Sequence, residues 1–103
     1  MSLIKENDEE LGICKVTFII PAEIAKKFRR INLVGDFNYW DVNVNPFQNA
    51  KKDGSKFISV ELPQNDEYKF RYFCDGKIWL NEPDADEFVR VPYTDLLNSM
   101  VKV

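Results

Sequence analysis

Between Glu67 and Cys74 the chain alternates without a break. Tyr68, Phe70, Tyr72 and Cys74 fall on one side, and Lys69, Arg71 and Phe73 on the other. A run of period two is a β-strand with one face toward a core and one toward water. At helical spacing the same residues would scatter around the axis, so the segment commits the chain to a layered β arrangement.

The rest of the sequence supplies partners for that strand. Val16, Phe18 and Ile20 share a face in Lys15–Ile20, which Pro21 closes. Ile31–Val34 is a strand ending at Gly35, and Ile58, Val60 and Leu62 alternate against Ser59 and Glu61. Shorter candidates are Asn43–Gln48, an edge strand because it holds Pro46, then Lys77–Leu80, Phe88–Val91 and Asn98–Val103. Hairpin turns are expected at Lys51–Lys56 and after Cys74, each with an Asp-Gly pair suited to positive φ. Only Pro21–Arg30 has helical character, with Ile24 and Phe28, and Glu23 and Lys27, at i,i+4 spacing. About seven short strands, with turn signals roughly every ten residues, predict an all-β, immunoglobulin-like antiparallel β-sandwich. Residues 1–12 read as a flexible charged tail and 13–103 as the sandwich.

Composition narrows the function. A chain of 103 residues, 45% hydrophobic, can bury one core and no second one. A net charge of −3 gives no electrostatic reason to hold nucleic acid. There is no histidine, which removes the commonest general base and metal ligand. Cys14 and Cys74 are too few for a disulfide framework and read as buried free thiols. No apolar run is long enough for a membrane span, and the charged start lacks the centre of a secretory signal, so the expected location is cytoplasmic.

Glu82, Asp84, Asp86 and Glu87 cluster without the order of a calcium loop and read as a solvated acidic loop. No nucleophile, phosphate-loop or dinucleotide motif is present. Neither enzyme activity, a cofactor nor a metal is expected. The aromatic residues are more informative. Trp40 follows the polar turn Gly35-Asp36-Phe37-Asn38-Tyr39, where folding alone does not ask for an indole. Trp79 lies just past Asp75-Gly76. Strand parity turns Arg71 and Lys69 outward, and Asn98 shares a face with Lys102, opposite Val101. Indoles beside a guanidinium and an amide suit a pyranose, which has an apolar face and a rim of hydroxyls. The bland reading is an ordinary charged outer face with tryptophans that cap the core.

Leu33-Val34-Gly35-Asp36-Phe37-Asn38-Tyr39-Trp40, followed by Phe70-Arg71-Tyr72-Phe73-Cys74-Asp75-Gly76 and Trp79, resembles the early-set β-sandwich family. That family includes the N-terminal modules of isoamylases and glycogen branching enzymes and the glycogen-binding domain of the AMP-activated protein kinase β subunit. They are grouped as carbohydrate-binding modules of family 48. The similarity runs from about Val16 to Val103.

The resemblance implies a non-catalytic module for α-glucan of the glycogen or starch type. Trp40 and Trp79 would stack on glucose rings, Arg71 and Asn98 would bind hydroxyls, and Lys69 would assist. Arg71 stands where the kinase module has lysine, and one extra residue precedes Trp79. Thr94 and Leu96 stand where that module has a leucine that wedges into the glucan and a threonine. The implied partner is an α-glucan polysaccharide or oligosaccharide. The alternative is a protein-interaction or structural accessory module whose aromatic face docks on a glycan-active enzyme or other protein, as isoamylase-type modules pack on a catalytic barrel. Neither nucleic acid nor membrane is expected as a partner.

Overall fold

Glu67–Cys74 forms the middle of the larger of two sheets in a computed structural model describing residues 1–50 and 53–103. The strands are β1 (Ser2–Asp8), β2 (Ile13–Ile20), β3 (Ile31–Gly35), β4 (Asn45–Pro46), β5 (Gln48–Asn49), β6 (Lys56–Pro63), β7 (Glu67–Cys74), β8 (Ile78–Leu80), β9 (Glu87–Arg90) and β10 (Leu97–Lys102). One helical turn, α1 (Ala22–Ala25), and a 3₁₀ turn (Asp36–Asn38) complete the elements.

The smaller sheet is ordered β1-β2-β6-β5 and the larger β4-β3-β7-β10-β9, while β8 also pairs with β7. All pairings are antiparallel. The fold is an all-β, immunoglobulin-like sandwich. The ten strands among the described residues exceed the expected number because residues 2–8 also form a strand and the Asn43–Gln48 segment divides between the two sheets as β4 and β5. Lys51 and Lys52, in the expected first hairpin turn, lie outside the described residues; beyond them Gly54 takes a φ of 79°.

The flexible tail expected over residues 1–12 is corrected by β1. Ser2–Asp8 pairs with β2 along its whole length, from Ser2 opposite Ile19 to Asp8 opposite Ile13. The charges that suggested a tail are those of an edge strand, where they block pairing with another chain. Lys5, opposite inward-facing Val16, bonds Asp86 at 2.6 Å. Asp86 Oδ2 also accepts the Lys102 N–H at 2.7 Å, so one carboxylate ties the two sheets together.

The core lies between the sheets. Val16, Phe18 and Ile20 of β2, Leu33 of β3, Phe70 and Tyr72 of β7 and Val101 of β10 are fully buried. Phe18 meets Phe70 edge-on at 5.1 Å between centroids, and Phe47 meets Tyr72 edge-on at 5.5 Å, both favourable geometries for ring quadrupoles. Cys14 and Cys74 are free and buried, and burial pushes the Cys74 thiol up to about 11, with the neighbouring Asp75 charge acting in the same direction. At neutral pH it is an unreactive apolar filler.

The acidic loop departs from expectation at one residue. Glu82 is not solvated but fully buried. Its Oε1 accepts the Tyr72 hydroxyl at 2.6 Å and its Oε2 the Asp84 N–H at 2.9 Å. Its own N–H donates to Ser99 Oγ at 2.8 Å, and that hydroxyl donates to Asn81 Oδ1. No buried side-chain polar atom among the described residues lacks a partner. Burial first, then the Glu82 charge, holds the Tyr72 phenol well above its ordinary range. Tyr72→Phe leaves a buried carboxylate short of a donor, so urea unfolding should show a loss of about 1.5–3 kcal/mol. A loss below about 0.5 kcal/mol would mean the bond contributes nothing.

Candidate functional site

The outer face of the larger sheet is set by the inner one. Because Phe70, Tyr72 and Cys74 are buried, Lys69, Arg71 and Phe73 point outward. Register adds Val34 opposite Arg71 and Asn32 opposite Phe73 on β3, and Trp79 opposite Phe73 on β8. The placement of Trp79 depends on turn length. Asp75 and Gly76 take φ values of 52° and 69°, and the connection from Cys74 to its partner Ile78 spans Asp75, Gly76 and Lys77. A connection one residue shorter would shift the register by one and turn Trp79 inward.

Three of the expected site residues meet on this face. Trp79 is 41% exposed and packs on Phe73, with ring centroids 4.3 Å apart and planes tilted by 33°. The Arg71 guanidinium carbon lies 5.8 Å from the Trp79 ring centroid, within cation–π range. Arg71 Nε donates to Asn98 Oδ1 at 2.6 Å. That bond uses one of the five guanidinium donors and leaves the other four, together with the Asn98 amide N–H groups, for a ligand.

Trp40 and Lys69 form a second group, joined through Asp36. Asp36 Oδ1 accepts the indole N–H of Trp40 at 2.9 Å, and Oδ2 accepts the backbone N–H of Lys69 at 2.7 Å. Gly35 permits this reach. A Cβ there would lie 2.5 Å from the Lys69 carbonyl oxygen and 2.9 Å from Phe70 Cβ. Four residues of strand, about 13 Å, separate the Lys69 and Phe73 positions, a span suited to an extended ligand.

The turn differs from the sequence reading in one respect. Its most exposed ring is Tyr39, at 95%, while Trp40 is half-buried with its N–H engaged. Both residues have φ of 57°, a left-handed conformation that costs non-glycine residues about 1–3 kcal/mol each. Buried Asn38 braces the turn: its Oδ1 accepts the Gly35 N–H, and its Nδ2 donates to the Leu33 carbonyl and to Asn45 Oδ1.

Sequence reasoning also missed a groove of about 390 Å³ beside the Trp79 group. Arg29, Arg30, Asn32, Asn43, Phe73 and Lys77 are among its lining residues. They come from three separate stretches of chain, so only the folded topology unites them. Among the described residues no group of metal-binding side chains occurs, and no helix is long and apolar enough to cross a membrane. Compared with known proteins, the chain matches no family model, and no curated protein matches it significantly.

Trp79 should behave as a surface residue in stability measurements. Trp79→Ala is expected to cost about 1 kcal/mol, the worth of its stacking on Phe73. Phe18→Ala, in the core, should cost about 3–5 kcal/mol. Denaturant midpoints compare the two, and a core-sized loss for Trp79 would assign it to structure rather than to a site.

Proposed function

We propose that the outer face of the larger sheet binds an α-glucan, and that the protein is a non-catalytic cytoplasmic carbohydrate-binding module of the early-set type that its sequence resembles. The observation that carries this reading is the Trp79 group. A partly exposed indole is packed at a tilt on Phe73 beside a guanidinium that Asn98 keeps in place. The rings are already packed, so little side-chain freedom is lost when a sugar stacks on them. Trp40, whose N–H is engaged by Asp36, offers only its ring to a ligand. Arg71, Asn98 and Lys69 supply hydroxyl contacts, and Tyr39 stands free beside Trp40.

An open face with a few aromatic anchors binds weakly, with a Kd of roughly 0.05–1 mM for a short chain. Glycogen compensates through its many repeated ends.

The alternative, docking on a partner protein or catalytic domain, draws support from a different place. Ile78, opposite Cys74, and Phe88, opposite Ser99, sit at inner-face positions yet are 40% and 43% exposed, and Leu97 is 43% exposed. Electrophoresis in gels with and without glycogen separates the readings. The wild-type protein should be retarded by glycogen, and Trp79→Ala, Arg71→Ala and Trp40→Ala should each relieve the retardation. An unretarded wild type would overturn the glucan reading in favour of docking.

A further inference from the structure

The groove beside the Trp79 group has a charge that neutral sugar does not need. Arg29, Arg30 and Lys77 line it together, in a chain whose net charge is −3. None of the three forms an ion pair with a described residue. The one carboxylate in the groove is Asp75, and its role is local. Asp75 Oδ1 accepts the backbone N–H groups of Arg29 and Arg30 at 2.8 and 2.9 Å, while its own N–H donates to the Arg30 carbonyl at 2.8 Å. The β7–β8 turn thus clamps the two-arginine segment to the groove wall. Lys56 Nζ donates to the Arg29 carbonyl at 3.2 Å, which steadies that segment further.

Three cations against one carboxylate leave an excess of about two positive charges, which suits a dianion better than a monocarboxylate. Guanidinium groups also match phosphate oxygens with paired donors. Phe73 is common to both places: it lines the groove, and its ring stacks on Trp79. A sugar on Trp79 therefore has a near neighbour in the groove, where Asn32 and Asn43 offer amides for hydroxyls.

We propose that this groove receives a phosphate monoester carried on the glucan chain that the Trp79 group holds, an inference that rests on the glucan reading above. The protein then prefers phosphorylated over neutral α-glucan. The preference weakens with salt, because the groove is open and exposed charges are screened over about 8 Å at physiological ionic strength.

Titration calorimetry of the full chain at low salt tests this, with maltoheptaose and maltoheptaose bearing one 6-phosphate as probes. The wild-type protein should bind the phosphorylated chain about tenfold more tightly. In the combined variant Arg29→Gln, Arg30→Gln, Lys77→Gln, the ratio of the two affinities should fall toward one. Asp75→Asn keeps an acceptor for the two backbone N–H groups but removes the charge, so the ratio should rise. A merely structural role for Asp75 would not produce that gain.

Equal wild-type affinity for the two probes would overturn the phosphate inference and leave the glucan reading standing. A preference that survives loss of the three cations would overturn it as well. So would phosphate-dependent binding undiminished by Trp79→Ala, since the groove would then act alone. Binding of neither probe would remove the glucan reading and this inference with it.

Discussion

Strand β7 has to meet two environments at once, and the rest of the structure depends on how it does so. Its inward residues Phe70, Tyr72 and Cys74 are completely buried against Phe18 and its neighbours. A slip of one residue would place those rings in water and bring Lys69 and Arg71 into the core, at a cost of several kcal/mol for each buried charge. The apolar interior therefore fixes the outer face. Arg71, Phe73, Trp79 and Asn98 are brought together by a register chosen elsewhere.

Two aspartates turn that register into fixed geometry at either end of the face. Asp36 joins the Trp40 indole to the Lys69 backbone, and Asp75 joins the β7–β8 turn to the Arg29–Arg30 segment. Each carboxylate accepts two N–H groups and ties a turn to a segment far off in sequence, Asp36 to Lys69 and Asp75 to Arg29 and Arg30. The strained pair Tyr39 and Trp40 persists because Asn38 and Asp36 hold the turn from both sides. Strain kept at an aromatic turn, away from the core, is consistent with a surface shaped for binding.

What the sequence reveals follows from how local each signal is. Alternation and Asp-Gly pairs are short-range patterns, and they give β7, β2, β6 and the turn after Cys74 nearly residue by residue. Parity carries the outward placement of Arg71 and Asn98, which the structure joins by a hydrogen bond. Strand β1 escaped notice because an edge strand advertises charge rather than alternation. Burial of Glu82 was hidden because its donors, the Tyr72 hydroxyl and the Asp84 amide, converge only after folding. The groove was hidden for the same reason. Nothing local tells Arg29 that Lys77 lies across from it.

The central claim is that a glucan lies along the outer face over the Trp79 group. With only two tryptophans in the chain, their two indole N–H signals in a ¹H–¹⁵N spectrum report directly on that face. Titration with maltoheptaose should move the Trp79 signal most and the Trp40 signal less, since Asp36 already holds the latter N–H. If both stay fixed at millimolar sugar while inner-face positions such as Ile78 and Phe88 shift instead, the claim is contradicted.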